Sequence, residues 1–401
     1  SAVLWVDKPF ISLHLLTVLF IHFFYLLLID NLVDSKNQKL RNASFFLLGF
    51  SILDNFGFQG GRNGFLFIQG VGKQDIAVGV LFFLISFMCL IYTLEQKISK
   101  KDLAVLSILT LFVFQIKVSG VFVGYLYIIL FVSLLISKHF KFKDLFSAHI
   151  PVLFFAAVSF IKSFLTTGCL IFPLTPTCRN NFDWYVKGST EIYEGITKTS
   201  SLAFIDYYHD TKRTYLDWLA DMLAYEFYRA VLFNFLMSIT ILIVAKFLIF
   251  KSVKQNKKFV FLLFPFILFN SIYLVFYGPI PRYSIGIMLI MISSISFYAG
   301  EFKFKFNSWV YYSLVFVSAL FIVRIGSYSE LLNNQSYKVF NPREVATYTK
   351  INDSWVIPDE GDQCWINLEC SMAKEYNPKL VDVIISEGKY FKTVYRVFDT
   401  P

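Results

Sequence analysis

Charged residues are scarce in this chain. Asp, Glu, Lys and Arg make up 16% of its 401 residues, where a soluble globular domain carries about 25%. A 46.5 kDa chain folded around a single core has too little interior for 48 Phe and a composition that is 56% hydrophobic. The surplus must face a second apolar solvent, and lipid is the obvious one. The signatures of soluble catalysis are missing too. There is no Walker A segment, no Gly-x-Ser-x-Gly, no His-Glu-x-x-His and no dinucleotide fingerprint. Gly60–Gly61–Arg62–Asn63–Gly64 is glycine-rich but leads into no phosphate-binding helix pattern, so it reads as a turn. No basic n-region precedes the first apolar run, which excludes a secretory signal peptide within these residues.

What is present is a succession of apolar runs. They are roughly Ile11–Ile29, Ala43–Leu53, Ile76–Leu94, Leu103–Ile116, Val121–Ile136, Ile150–Leu165, Ala230–Phe250, Phe259–Tyr277, Ser284–Tyr298 and Trp309–Val323. A helix crossing a bilayer needs about 20 apolar residues. Several runs reach that length alone, others with flanking residues, and Ala43–Leu53 is short. The formal charge of +9 would point to nucleic acid in a soluble protein. Here the basic residues alternate with the runs. Lys36, Lys39 and Arg41 follow the first run, Lys97, Lys100 and Lys101 the third, and Lys138, Lys141 and Lys143 the fifth. Lys251, Lys254, Lys257 and Lys258 follow the seventh, and Lys303 and Lys305 the ninth. The intervening short loops hold only Arg62 and Lys73, then Lys117, then Arg282. By the positive-inside rule the lysine-rich loops are cytoplasmic. The charge is therefore topology, and no nucleic-acid partner is expected.

The expected architecture is an α-helical polytopic membrane protein of about ten spans. Residues 1–165 form the first six segments, 166–229 an outer loop with interfacial helices, 230–325 the last four segments, and 326–401 a small α/β lobe outside. Both ends of the chain fall on the outer side. An N-out start without a signal implies a preceding helix, so an N-terminally truncated fragment is expected. The cysteines give an independent check. Cys89 lies within an apolar run as a packing residue. Cys169/Cys178 and Cys364/Cys370 form two close pairs in segments assigned outside, where disulfides are permitted. Four free thiols is the alternative; zinc is disfavoured because neither pair has Cys-x-x-Cys spacing or a nearby His. In the outer loop, Trp184, Tyr185 and the apolar spacing of Leu202–Tyr228 suit a helix on the membrane surface. In the tail, Leu380–Ile385 reads as a buried strand.

Candidate chemistry lies at the outer boundary. Arg62, Lys73, Lys117 and Arg282 adjoin apolar runs on the side where basic residues are disfavoured. Such a set can grip the phosphate of a lipid-linked sugar, Arg as a planar fork and Lys as a point charge. Snorkelling toward head groups is the structural alternative. Two prolines, Pro279 and Pro281, fix the turn that presents Arg282. Asp75 and Asp54 are candidate catalytic carboxylates, able to take an acceptor proton or to hold a divalent metal. For Asp75, at a helix start, a favourable meeting with the helix dipole is the alternative account.

Several short motifs carry a resemblance. Thr167–Gly168–Cys169–Leu170–Ile171–Phe172–Pro173, then Pro176–Thr177–Cys178 and Asp183–Trp184, resemble an element of large bacterial envelope proteins similar to GT-C-type glycosyltransferases. Ile116–Lys117–Val118–Ser119, Pro281–Arg282–Tyr283 and Cys364–Trp365 with Cys370 fit the same pattern, from about Asn55 onward. The resemblance implies a multi-span enzyme, or a non-catalytic relative, at the outer face of a bacterial inner membrane. It would use a polyprenyl-phosphate sugar in envelope glycan synthesis. GT-C enzymes carry a key acidic residue in the first outer loop; no such loop can be matched here, which the expected truncation accounts for. A flippase for lipid-linked oligosaccharide, which predicts polar breaks at mid-membrane, is the alternative; the runs are nearly free of such breaks, the main exceptions being His14, a packed or pore-facing residue, and Lys162 and Lys246, which lie near the ends of their runs and can snorkel. A surface-polysaccharide polymerase or ligase is a third.

Overall fold

The computed structural model describes residues 9–53, 75–117, 120–172, 174–179, 181–182, 226–253, 257–277, 284–302, 348–350, 355–358, 369–370, 380–387 and 392–398, with single positions at 185, 190, 220 and 224. The described chain is mostly helical. In order come α1 (Pro9–Asp34), α2 (Gln38–Leu53), α3 (Asp75–Glu95), α4 (Lys100–Ile116), α5 (Val121–Ile136) and α6 (Phe142–Thr167). Then follow α7 (Glu226–Ile249), β1 (Phe250–Ser252), α8 (Lys257–Tyr277), α9 (Ile285–Ser294) and β2 (Ala299–Phe302). The apolar runs from Ile11 to Tyr277 thus lie on α-helices, Phe250 excepted, and Trp309–Val323 lies outside the described residues. Asp75–Glu95, Phe142–Thr167 and Leu232–Ile249 are long and apolar enough to cross a membrane.

Two compact units divide the chain. One comprises 1–162 and 192–329, the other 163–191 and 330–401. In the first, α3 is enclosed by its neighbours: Ile76, Val80, Phe83, Ile85, Phe87 and Cys89 are all buried. Its sequence is apolar on every face, as a helix surrounded by others requires. By contrast, α6 leaves Phe154 and Ile161 72% and 58% exposed. Such a long uncovered apolar face is not found in water and suits contact with lipid.

The structure corrects several expectations about the bends. Lys39 and Arg41 lie within α2, which begins at Gln38, so the short second run gains a polar first turn. Lys100, Lys101, Lys143, Lys257 and Lys258 likewise sit on the opening turns of α4, α6 and α8. Ser284–Tyr298 is not one α-helix: α9 gives way at Ile295 to a 3-10 turn and then to β2. The largest surprise is the pairing of β1 with β2, antiparallel, with Phe250 opposite Phe302. It joins the end of α7 to the end of the α9 segment. Asn42, fully buried on α2, donates its Nδ2 to Ala299 O at 2.7 Å and Gly300 O at 2.9 Å. Those carbonyls would otherwise be buried strand acceptors, costing about 1–3 kcal/mol if unpaired. Phe46 and Phe250 stack at 5.1 Å beneath, sealing the junction.

In the second unit, Gly168 takes φ +74°, a left-handed conformation that ends α6, and its N–H reaches Phe164 O at 2.8 Å. A side chain there would also strike Tyr185. The chain then forms a small closed loop. Leu170 N donates to Thr177 O at 3.1 Å, Arg179 N to Gly168 O at 2.9 Å, and Cys169 is disulfide-bonded to Cys178. Pro176 sits in the 3-10 turn Thr175–Thr177 at the tip. The expected pair is therefore formed. Closing so short a loop restricts the unfolded chain by about 2–3 kcal/mol. Accordingly, Cys169→Ser with Cys178→Ser is expected to leave the helices intact and to make residues 170–177 several-fold more sensitive to limited proteolysis.

The described residues of the tail are all strand. β3 (Tyr348–Lys350), β4 (Trp355–Pro358) and β5 (Glu369–Cys370) form one sheet, with β3–β4 antiparallel and β4–β5 parallel. β6 (Leu380–Glu387) and β7 (Lys392–Phe398) form an antiparallel pair with Ile384 opposite Tyr395. The expected strand at Leu380–Ile385 is the first six residues of β6. Cys364 and most of Leu202–Tyr228 lie outside the described residues, so the second expected disulfide and the surface helix are not described.

Candidate functional site

The site begins with two helix ends. Asp75 is in the first turn of α3, where a carboxylate meets the positive pole of the helix dipole. Lys117 is the C-cap of α4, where an ammonium meets the negative pole; its own N–H caps Val113 O at 3.1 Å. The backbone at Lys117 is extended, φ −153° and ψ 132°, so the helix stops there. Gly120 N then donates to Lys117 O at 2.8 Å. A Cβ on Gly120 would come within 2.7 Å of the Val113 backbone, so only glycine permits this tight return into α5.

These ends meet. Lys117 Nζ forms a salt bridge with Asp75 Oδ1. Asp75 is 8% exposed and the Lys117 side chain 29%. The carboxylate is thus held inside the bundle, while the ammonium keeps a path to the outside. Two candidate residues separated by 42 positions are brought into direct contact. The third element is α9. Ile285 packs so closely on Gly79, one turn along α3 from Asp75, that a Cβ there would come within 2.6 Å of Ile285 Cγ2. Ser284, just before it, is 8% exposed.

Arg282, Lys73, Arg62 and Asp54 lie outside the described residues. In sequence, Arg282 precedes Ser284 by two positions and Lys73 precedes Asp75 by two. Among the described residues, no three His, Cys, Asp or Glu side chains come together as a metal site needs. Of the polar residues within the apolar runs, Lys246 is buried, with Nζ 4.1 Å from the centroid of the Phe247 ring. His14 falls on α1 and Lys162 on the exposed face of α6.

One polar contact between helices was not anticipated. His149 on α6 bonds Leu145 O through Nδ1 at 2.7 Å. That fixes the proton on Nδ1 and leaves Nε2 to accept from Tyr127 of α5 at 2.5 Å. Phe131 meets the imidazole edge-on at 5.2 Å. The sequence signal was available: His149 immediately precedes the sixth apolar run, within reach of a Tyr on the fifth.

A family model described as Domain of unknown function (DUF8201) matches residues 4–289, more than half of the chain and all of the described site. No curated protein and no solved structure matches.

Proposed function

The chain belongs to the family of the Domain of unknown function (DUF8201), and on that premise we propose that it is a multi-pass membrane protein of the GT-C-like glycosyltransferase type. In this reading about ten spans place the lysine-rich bends in the cytoplasm, and the loop 166–229 and the C-terminal strands outside. The donor is a polyprenyl-phosphate sugar and the product an envelope glycan. The observation that supports the reading is the buried Asp75 carboxylate joined to Lys117 at the basic-poor end of α3 and α4. Ionisable groups at a membrane boundary are costly and tend to be retained for use.

Chemically, the pair is suited to exchange. Lys117, the more exposed partner, turns its ammonium to the donor phosphate. Arg282 and Lys73, two positions before Ser284 and Asp75 in sequence, complete the anion site, with Arg62 as a further member. Freed of its lysine, Asp75 accepts the proton of the acceptor hydroxyl; Asp54 is its alternate. The acceptor oxygen bonds the anomeric carbon as the bond to the phosphate oxygen breaks. Polyprenyl phosphate leaves with the electron pair, and the configuration inverts. The sequence of steps is by analogy with the enzyme class.

The test uses purified full-length protein in nanodiscs with a polyprenyl-phosphate sugar. Release of polyprenyl phosphate is expected to fall about 10²- to 10⁴-fold in Asp75→Asn, with donor retained. Arg282→Ala is expected to weaken donor retention and to reduce envelope glycan in cells. Unchanged glycan in Arg282→Ala at normal expression overturns the role. Movement of intact donor across the bilayer without release selects the flippase instead.

A further inference from the structure

At the end of the bundle opposite Asp75, α3, α5 and α8 leave a groove of about 860 Å³. One wall is α5, through Ile128, Val132 and Ile136; Phe261 of α8 faces it, and Lys257 and Lys258 form its rim. Ile128 and Ile136 are two turns apart, so the apolar wall runs about 12 Å along the helix. Ile136 and Phe261 are 77% and 79% exposed, a surface that water disfavours and an acyl chain covers.

The groove is preformed. At the end of α3, Gln96 has φ 54°, a left-handed backbone uncommon for a residue with a side chain. That conformation lets its Nε2 donate to Thr93 O and to Ser133 Oγ, both at 2.7 Å. The amide thereby bolts the end of α3 to α5 and fixes one side of the groove.

The rim is positive. Lys257 and Lys258 are exposed on the first turn of α8, whose dipole adds to their charge. Lys97 and Lys138, both exposed, follow the same ends of α3 and α5. Among the described residues, Glu95 pairs with Lys39 at 2.9 Å and Asp144 with Lys100 at 3.8 Å. Cationic rim and long apolar wall together match one class of molecule, since a soluble anion needs no such wall and a neutral lipid needs no such rim.

We propose that this groove is a binding site for an anionic phospholipid, its acyl chain along Ile128, Val132 and Ile136 and its phosphate held by Lys257 and Lys258. The site is independent of the transfer reading, being at the other end of the helices. The lipid would pin α8 against α5 and stabilise the assembly.

Native mass spectrometry of the full chain, titrated with phosphatidylglycerol or phosphatidylcholine, tests this. Each lysine near a head group contributes roughly fivefold to anionic-lipid affinity. Phosphatidylglycerol is therefore expected to bind roughly 25-fold more tightly than phosphatidylcholine. In K257Q/K258Q that preference is expected to fall roughly 25-fold toward none, while K257R/K258R retains it. Val132→Trp, which fills the groove, is expected to weaken both lipids. Equal affinity for the two lipids in the native chain overturns the proposal, whether or not the variants fold. So does a preference undiminished in K257Q/K258Q, or competition by soluble glycerol phosphate as effective as by the lipid.

Discussion

Lys117→Met is expected to destabilise the protein by about 3–5 kcal/mol. The reason is the asymmetry of the pair. Asp75 is the enclosed member and Lys117 the one with access to the exterior. Removing the lysine takes an opposing charge from a carboxylate that water cannot easily reach. Asp75→Asn takes a charge from an ammonium that can rehydrate, and is expected to cost less, about 1–2 kcal/mol. Replacing both, Asp75→Leu with Lys117→Met, is expected to recover much of the loss, because an apolar pair of similar volume carries no desolvation penalty. Equilibrium unfolding in mixed micelles, arranged as a double-mutant cycle, measures the coupling. Additive effects of the single changes would show that the contact carries no energy.

Gly286→Leu is expected to cost roughly 3 kcal/mol or more, at the upper end of overpacking effects. A Cβ at Gly286 would fall 2.6 Å from Phe82 Cδ1, and one at Gly79 would fall 2.6 Å from Ile285 Cγ2. Each helix thus presents a glycine to the other, a reciprocal notch that brings α3 and α9 close. Close approach of small residues is the main source of helix association in lipid, where burial of apolar area gives no advantage. The Phe82 ring cannot retreat, since it meets Phe266 of α8 at 5.9 Å. Gly286→Ala is expected to lie between wild type and Gly286→Leu. Thermal inactivation in nanodiscs, with Gly124→Ala as the control, checks the order; a Cβ at Gly124 meets nothing within 4 Å.

How much of this was legible in the sequence depends on the range of the interaction. The helices were, because each closes its own hydrogen bonds and needs only an apolar stretch to lie in lipid. Cys169 with Cys178 was legible for a related reason: they are nine positions apart, so few geometries are open to the loop. Asp75 and Lys117 could each be singled out, since a charge beside an apolar run is conspicuous. Their union could not, because nothing local specifies which helix ends are neighbours. Asn42 was invisible for the same reason. Its partners are more than 250 positions away, and β1 and β2 are too short to carry a period. The notch at Gly79 and Gly286 looked like two unremarkable glycines until α3 and α9 were placed together.

The β1–β2 ladder carries a mechanical consequence. It fastens the trailing end of α7 to the trailing end of the α9 segment, and Asn42 ties β2 to α2. Two rods joined at one end can only splay at the other. Movement of α7 relative to the α9 segment is therefore least at Phe250 and Phe302 and grows toward Glu226, the leading end of α7.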